Sequence, residues 1–534
     1  PSERSELEER ADRWMNALQD EFHGSSESNQ LEGDVLLNAA DGAVRAADRE
    51  HGGFGRGQKF PQAMRLELLI RAHDATGTAA YLEVVSEALD AIVRGGLRDH
   101  LAGGFHRYCT DRQWKVPHFE KMLYDNALLP PVLNAAHQVT GDERYATASR
   151  ETLQFLQREM KHPEGGFYSS IDADTEEGEG NFYTWTPEEI DRALSESRAV
   201  NLIAERFDIT ETGDTEDQRS VLTRAASISE LASSFDLSED EVTTLLESAM
   251  DELRSARAKR QRPERDEKIL AGWNGLAISA FADAAIALDE SFKDVARETL
   301  EFCRANHWDG DHLYRRYRSG NVGIPGYLDD HAYLARGALD AYGVTGDPAH
   351  CRFALELGTA MIDTFWDEGN GSLSLVPADT DLPARPPGIR EASLPAAAGI
   401  AADVLWRLDH LNPSAGFDDV ARSTLESRAS EVQADPVNHP SMVLAMDLIE
   451  REPIEVIPVG GLQATLRALR DTHVSPLLLA PRPVRMNLEE YGLDSMPPIW
   501  RGRDREGTCY VCRDACSPPL SERDEIVAWL NDFS

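Results

Sequence analysis

The sequence predicts a barrel of paired helices, an α/α toroid, followed by a small α/β segment, and three observations carry the prediction. Long stretches place apolar residues at helical spacing. A Gly-Gly-Phe triplet recurs between them. After about residue 453 the pattern changes to short apolar runs that read as strands. The triplet stands at Gly52-Gly53-Phe54, Gly103-Gly104-Phe105 and Gly165-Gly166-Phe167, at intervals of 51 and 62 residues. Weaker echoes follow at Asp311-His312-Leu313-Tyr314 and Gly371-Ser372-Leu373. A period of ~50–60 residues fits one helix pair with its loop, and fixed-period self-similarity marks repeat architectures. Glycine allows positive φ after a helix end, and the aromatic residue then starts an extended segment.

Taken along the chain, 63–75 is a helix, with Met64, Leu66, Leu68, Leu69 and Ala72 forming its apolar stripe. Pro117 can open a second helix. Thr186, Pro187 and Glu189 form a capping box with proline at the first helical position, and Ser238 with Glu241 opens a helix running to about residue 259. Trp273-Asn274-Gly275 and Tyr327-Leu328-Asp329-Asp330-His331 open further helices. The gap from Gly166 to Asp311 exceeds two periods. It holds an acidic stretch and a polar helical pair, read as an insertion at about 208–262. The expected toroid is 1–452. The expected tail, 453–534, holds strands at 454–459 and 476–480 and helices at 462–469 and 521–530.

The 41% hydrophobic content of these 534 residues supplies a sizeable core. No stretch reaches the ~18 apolar residues of a membrane span, and 1–20 is charged rather than signal-like, so the expected location is the cytoplasm. A net charge of −40, from 94 acidic and 54 basic residues, argues against a nucleic-acid partner, because phosphate needs a cationic surface. Only seven of the basic residues are lysines: Lys59, Lys115, Lys121, Lys161, Lys259, Lys268 and Lys293. The excess of like charge repels itself at low salt and is screened in concentrated salt, which suits a salt-rich cytoplasm. Cys109, Cys303 and Cys351 are scattered singly, as buried thiols would be. Cys509, Cys512 and Cys516 form C-x-x-C-x-x-x-C, a spacing open to structural, redox or zinc roles, with no evident fourth ligand.

Chemistry concentrates at 105–126. On a helix opened by Pro117, His118, Lys121 and Asp125 lie at i, i+3 and i+7 on one face. A base, a cation and a carboxylate there could bind and deprotonate a polyhydroxylated ligand, or form an ordinary solvated ion pair. In a chain so poor in lysine, Lys121, Lys59 and Lys268 mark places where a compact point charge is preferred to a guanidinium. Asp172 and Asp174 point the same way if extended, with calcium conceivable from the Glu-rich loop that follows. Tyr183, Trp185 and Trp273 offer either platforms for sugar rings or core packing. His331 is a structural or a catalytic histidine.

The run Gly103-Gly-Phe-His-Arg-Tyr108, with Val116-Pro-His-Phe-Glu-Lys-Met-Leu-Tyr-Asp-Asn126, closely resembles the thioredoxin-fused, spermatogenesis-associated protein family. So do Lys59-Phe-Pro61, Ser170-Ile-Asp-Ala-Asp174, Phe182-Tyr-Thr-Trp185, Lys268-Ile-Leu-Ala-Gly-Trp-Asn-Gly275 and Tyr327-Leu-Asp-Asp330. The resemblance spans most of residues 1 to about 530. It implies an (α/α)6 toroid like those of six-hairpin glycosidases and N-acylglucosamine epimerases, with a carbohydrate-type lumen. Members carry an N-terminal thioredoxin-like domain. This sequence starts about where that domain would end, so the expectation is a toroid portion without thioredoxin chemistry. At 391–398 the run Glu-Ala-Ser-Leu-Pro-Ala-Ala-Ala departs from the family's aspartate and Pro-Ser-Gly-Asn run, which implies the loss of those polar groups from that wall of the site. His331 stands where the family more often has an aromatic residue.

The resulting expectation is an epimerase- or isomerase-like enzyme on a sugar-like small molecule, with no cofactor and no metal. His118, Asp125, Asp330 and Lys121 would be catalytic. Lys59, His106, Arg107, Glu120, Tyr124, Asp172, Asp174, Tyr183, Trp185, Lys268, Trp273 and Asn274 would bind substrate. Inverting glycoside hydrolysis and a non-catalytic, thiol-linked folding-assistance module are the alternatives. The charge reading gives a first prediction: dialysis from molar potassium chloride to low salt lowers the melting temperature followed by far-UV circular dichroism. Identical melting curves at the two salt levels would refute the salt-adapted reading.

Overall fold

The computed structural model describes residues 2–22, 34–382 and 384–532; the expected toroid at 1–452 and tail at 453–534 each include residues outside these. Helices α1 (Ser2–Phe22) and α2 (Val35–Ala46) come first. Next are the hairpins α3 (Ala63–Thr76) with α4 (Ala79–Arg94) and α5 (Leu123–Thr140) with α6 (Glu143–Phe155). Four more helices follow, two of them before the start of the expected insertion at about 208–262: α7 (Pro187–Ala193), α8 (Ser197–Phe207), α9 (Ile228–Phe235) and α10 (Glu239–Arg257). The hairpins resume with α11 (Ala271–Ala287) and α12 (Phe292–His307), α13 (Leu328–Thr345) and α14 (Pro348–Phe365), and α15 (Ala397–Asp409) and α16 (Phe417–Glu426). The short α17 (Ala429–Ala434) leads to α18 (Pro440–Arg451). Among the described residues no helix is long and apolar enough to cross a membrane.

Helices α3, α5, α11, α13, α15 and α18 each pack against the next, and α18 returns to α3, which closes an inner ring. Helices α4, α6, α12, α14, α16 and α2 pack outside them. The molecule is thus an (α/α)6 toroid whose last hairpin joins α18 to α2. Inner helices must bury every face, and their sequences allow it: α11 is AGWNGLAISAFADAAIA. Small residues let backbones touch. A Cβ on Gly275 would collide with the Tyr333 backbone, and one on Gly399 would lie 2.7 Å from the Ser441 carbonyl carbon.

The first two Gly-Gly-Phe triplets form the same turn, and the third closes a related one with Gly165 at φ +135°. The amide N–H of Asp48 donates to Gly53 O (2.8 Å), Asp99 to Gly104 O (3.0 Å) and His162 to Gly166 O (2.6 Å). Gly52, Gly53, Gly103 and Gly104 all have φ between +70° and +77°. Side chains there would meet the next outer helix: Cβ atoms on Gly52 and Gly103 would run into the Glu87 and Glu151 carbonyls. Under the first two turns lies the same buried ion pair. Lys59 Nζ donates to Asp48 Oδ2 (2.8 Å) and Gly52 O (2.9 Å); Lys121 Nζ donates to Asp99 Oδ2 (2.8 Å) and Gly103 O (3.0 Å). An arginine completes each pair, Arg112 on Asp48 and Arg257 on Asp99. The Phe of the second and third triplets is fixed alike. Asn126 accepts from Phe105 N and donates to its O, and Asn274 does the same with Phe167.

The expected capping boxes at Thr186/Glu189 and Ser238/Glu241 both form. Helices α7 to α10 pack around an apolar cluster of their own that includes Trp185, Leu202 and Leu253. The expected helix at Pro117 does not form. Residues 117–118 pair antiparallel with 108–109, 121–122 pair with 170–171, and α5 starts only at Leu123. Cross-strand pairing takes the backbone groups that Pro117 would have offered to a helix. In the tail, Ile454–Val459 is the central strand, parallel to Leu477–Leu479 and antiparallel to Thr508–Cys512. Helices α19 (Gln463–Arg470) and α20 (Arg523–Asn531) flank it. Residues 473–479 line a small cavity with the C-terminal halves of the inner helices, so the tail closes that end of the ring.

The repeated ion pair gives a contrast between lysines. Lys59→Ala leaves the buried Asp48 with one cation fewer and should destabilise the fold by about 3 kcal/mol. Lys268→Ala removes a half-exposed surface pair with Asp266 and should cost no more than ~0.5 kcal/mol. Urea melts at constant salt measure both, and equal midpoints for the two variants would contradict the assignment.

Candidate active site

Short strands lead straight into inner helices: 121–122 into α5 and 269–270 into α11. Their first turns therefore sit at the loop end of the ring. A cavity of about 450 Å³ opens there, lined by Phe60, Gln62 and Arg65 around the start of α3, by Asp125 of α5, and by Glu391, Ser393 and Asn438 from the segments before α15 and α18.

Asp125, in the first turn of α5, is 8% exposed. Its Oδ2 is buried without a hydrogen-bond partner. Burial raises its pKa well above the ordinary carboxylate range, and the nearby Arg107 charge only partly opposes this. Glu391 faces the same cavity. Its Oε1 accepts from Ser441 Oγ (2.7 Å) and its Oε2 from Ala396 N (3.1 Å). Burial outweighs both bonds and pushes Glu391 up to about 7. Arg65 donates to Val437 O (3.1 Å) and Asn438 Oδ1 (2.9 Å), which ties α3 to the start of α18. Burial lowers its pKa, and Glu391 is the nearest charge opposing that.

Around the rim, Tyr124 makes side-chain hydrogen bonds with Ser393 and Arg107, and burial raises its phenol to about 12. Its ring meets Trp273 edge-on at 4.9 Å. Arg107 Nη1 also donates to Glu120 (3.2 Å). His118 Nδ1 donates to Glu179 (2.7 Å), and its Nε2 lies 3.6 Å from Glu120. The His118 ring is 5.3 Å from Tyr108, which stacks at 4.8 Å on Phe60 of the cavity wall. Asp125 thus lines the cavity, and Tyr124, through Ser393, Arg107 and Trp273, links it to the neighbouring residues.

Other expected site residues lie elsewhere. Lys59 and Lys121 are buried under their turns, so His118, Lys121 and Asp125 do not share a helix face. His106 is 2% exposed, with Nδ1 2.9 Å from Phe119 O; burial and the Lys121 charge depress its pKa to about 3. Asn274 is consumed by the Phe167 turn. Asp330 staples the starts of α11 and α13: it accepts from Gly272 N (3.1 Å), Tyr327 N (3.0 Å) and Arg315 Nη1 (2.7 Å). His331 is buried against Phe365 and bonded to Tyr327 O, and burial lowers it to about 4. Asp172 and Asp174 are exposed on a surface hairpin. Lys268 pairs with Asp266 at 2.8 Å. Tyr183 packs on Phe119 and His106, and Trp185 lies in the insertion core under Arg260. Cys512 and Cys516 are disulfide-bonded, while burial raises the Cys509 thiol to about 11. Among the described residues no group of His, Cys, Asp and Glu is arranged to hold a metal.

The reading of 391–398 needs a correction. That wall keeps a carboxylate and a hydroxyl, in Glu391 and Ser393. Sequence reasoning treated the segment as a loss because a carboxylate at one end of an alanine-rich run has no periodic or motif signature. Arg65 was missed for a similar reason, as one more arginine on a regular helix.

No protein-family model matches the chain. Among solved structures it is similar to cellobiose 2-epimerase from Spirochaeta thermophila, at 18% identity and a TM-score of 0.30, covering 79% of this chain and 98% of that one. It is also similar to the GH76A alpha-1,6-mannanase of Salegentibacter, at 11% identity and a TM-score of 0.42, covering 78% and 98%. An uncharacterised Caenorhabditis elegans protein is 26% identical over 99% of this chain and 77% of its own. Human spermatogenesis-associated protein 20 is 31% identical over 90% of this chain and 67% of the human one. By that extent of shared sequence, the chain belongs to the spermatogenesis-associated protein 20 family.

Proposed function

We propose that the lumen site performs acid/base chemistry on a neutral, sugar-like ligand, moving a proton at the carbon next to a carbonyl as an epimerase or isomerase does. The observation that carries this reading is the pairing of two carboxyl groups in one cavity with different burdens. Asp125 is buried, unbonded at Oδ2 and biased toward its protonated form. Glu391, near 7, is divided between acid and base at neutral pH. A proton holder and a proton acceptor whose surroundings set them apart are what such a transfer needs.

In this reading the Glu391 carboxylate takes the proton from carbon while Asp125 gives its own to the carbonyl oxygen. Glu391 then returns its proton to the former carbonyl carbon while the Asp125 carboxylate takes the proton of the neighbouring hydroxyl, so the carbonyl moves by one carbon and both carboxyl groups are restored. Arg65 and Arg107 stabilise the charge that develops on oxygen. Phe60 and Trp273 supply apolar faces for a ring, and Tyr124 with Ser393 supplies hydroxyl partners. His118, held by Glu179 and Glu120, is a mouth residue that contacts entering ligand.

Two measurements test this. With aldoses, ketoses and N-acylhexosamines in deuterium oxide, NMR should show solvent deuterium at the carbon next to the carbonyl. Asp125→Asn and Glu391→Gln should each lower kcat by roughly 10²–10⁴-fold with a smaller change in KM. Absence of exchange and of any thermal shift across the panel would remove the proposal, and release of an inverted sugar from a glycoside would replace it with hydrolysis.

The second measurement reads stability against pH. A carboxyl whose folded pKa lies above its unfolded value binds its proton more tightly when folded. Its contribution is therefore full below pH 4.5 and is lost as the pH rises to about 7. Glu391→Gln should remove a loss on the order of 3 kcal/mol over that window, seen as a flatter stability profile than wild type in urea melts. Parallel profiles would show that Glu391 is not held in a desolvated site.

A further inference from the structure

We infer that the cleft between the toroid wall and the insertion is a second ligand site, for a compact polyanion carrying phosphate or carboxylate groups. It is separate from the lumen and larger, at about 700 Å³ against about 450 Å³. The end of α6 and the turn after it form one side, and α10 with the residues to 265 forms the other.

The sign of its charge is the main argument. Six basic side chains line this cleft against three carboxylates, in a chain whose net charge is −40. The carboxylates are already engaged. Asp99 is held by Lys121 and Arg257, both at 2.8 Å. Glu159 is held by Arg262 at 2.8 Å and Arg158 at 3.0 Å. Glu151 is paired with Arg98. Arg254 pairs with Asp251 and Arg265 with Glu267, neither of which lines the cleft, so among the lining side chains themselves cations outnumber carboxylates.

The bases fall into two groups. Lys121 and Arg257 are buried and anchored. Lys121 Nζ lies 4.4 Å from the Phe155 ring centroid, and the Arg257 guanidinium 5.2 Å from that of Phe182. Burial lowers Lys121 to about 8, and the Arg257 charge adds to the shift against Asp99. Cations so crowded repel one another, and a bound anion relieves that repulsion. Arg158 and Arg262, by contrast, have side chains 49% and 59% exposed and share Glu159, which leaves N–H groups on each guanidinium for an occupant's oxygens. Planar guanidinium forks on opposite walls suit the oxygens of phosphate or carboxylate.

Isothermal titration of the full chain, at the lowest potassium chloride concentration that keeps its circular dichroism native, tests the site with pyrophosphate, citrate and uncharged cellobiose. One saturable site for an anion is expected, weakening as salt rises. Tighter binding of pyrophosphate identifies phosphate, and of citrate carboxylate, as the natural group. An Arg158→Ala/Arg262→Ala double variant should bind at least tenfold more weakly with an unchanged melting temperature, and Arg262→Glu alone should act in the same direction. Asp125→Asn, in the lumen, should bind as wild type does. Failure of both anions to bind, equal binding by the arginine variants, or loss of binding in Asp125→Asn would overturn the inference.

Discussion

A carboxylate buried beneath a pair of left-handed glycines holds the working end of this molecule in shape. Asp48 and Asp99 each accept from two backbone N–H groups of their own turn, through Glu50 and His51 in one case and Leu101 and Ala102 in the other. Each also meets a lysine and an arginine. Burial alone would raise both carboxyls; the surrounding donors outweigh it and hold them well below the usual range. The turn then seats against the following outer helix, and the chain leaves it at a fixed angle for the next inner helix. Because Lys121 is one residue from Met122, which caps α5, the same latch that closes the second turn also sets the rotation at which Asp125 enters the lumen.

Desolvation acts in opposite directions in the two cavities. In the lumen it works on carboxyl groups with few opposing charges, so Asp125 and Glu391 move toward their neutral forms. Between toroid and insertion it works on clustered cations, so Lys121 is depressed instead. The outer surface follows neither pattern, because its acidic groups stand in water. One strongly acidic chain therefore holds two carboxyl groups raised by burial in one cavity and a cluster of cations in another.

The repeat, the helix caps and the tail strands could be read in the sequence because each rests on a local rule. Glycine is needed where φ is positive, Ser or Thr with Glu closes a helix start, and a β-branched run makes a strand. The site could be read only in part. Arg107 and Trp273 both contact Tyr124, which precedes Asp125 in the chain, while Lys59, Lys121, Lys268 and Asp330 are engaged elsewhere. Lys59 and Lys121 carried a true signal, a need for a compact ammonium, but a buried turn imposes that need as strictly as a catalytic centre does, and the spacing does not separate the two. Pro117 suggested a helix start that strand pairing overrode. Glu391 was invisible because its role arises from the wall it faces across the ring, and sequence distance carries no trace of that.

Hairpin α2–α18 has a consequence for biogenesis. Arg451 and Asp34, whose side chains meet at 2.8 Å, are 417 positions apart. A chain emerging from the ribosome can stack its hairpins one upon the next but cannot seal the circle until α18 is released. Until then the inner faces of α3 and α15 stand uncovered, so nascent-chain shielding matters until α18 has emerged.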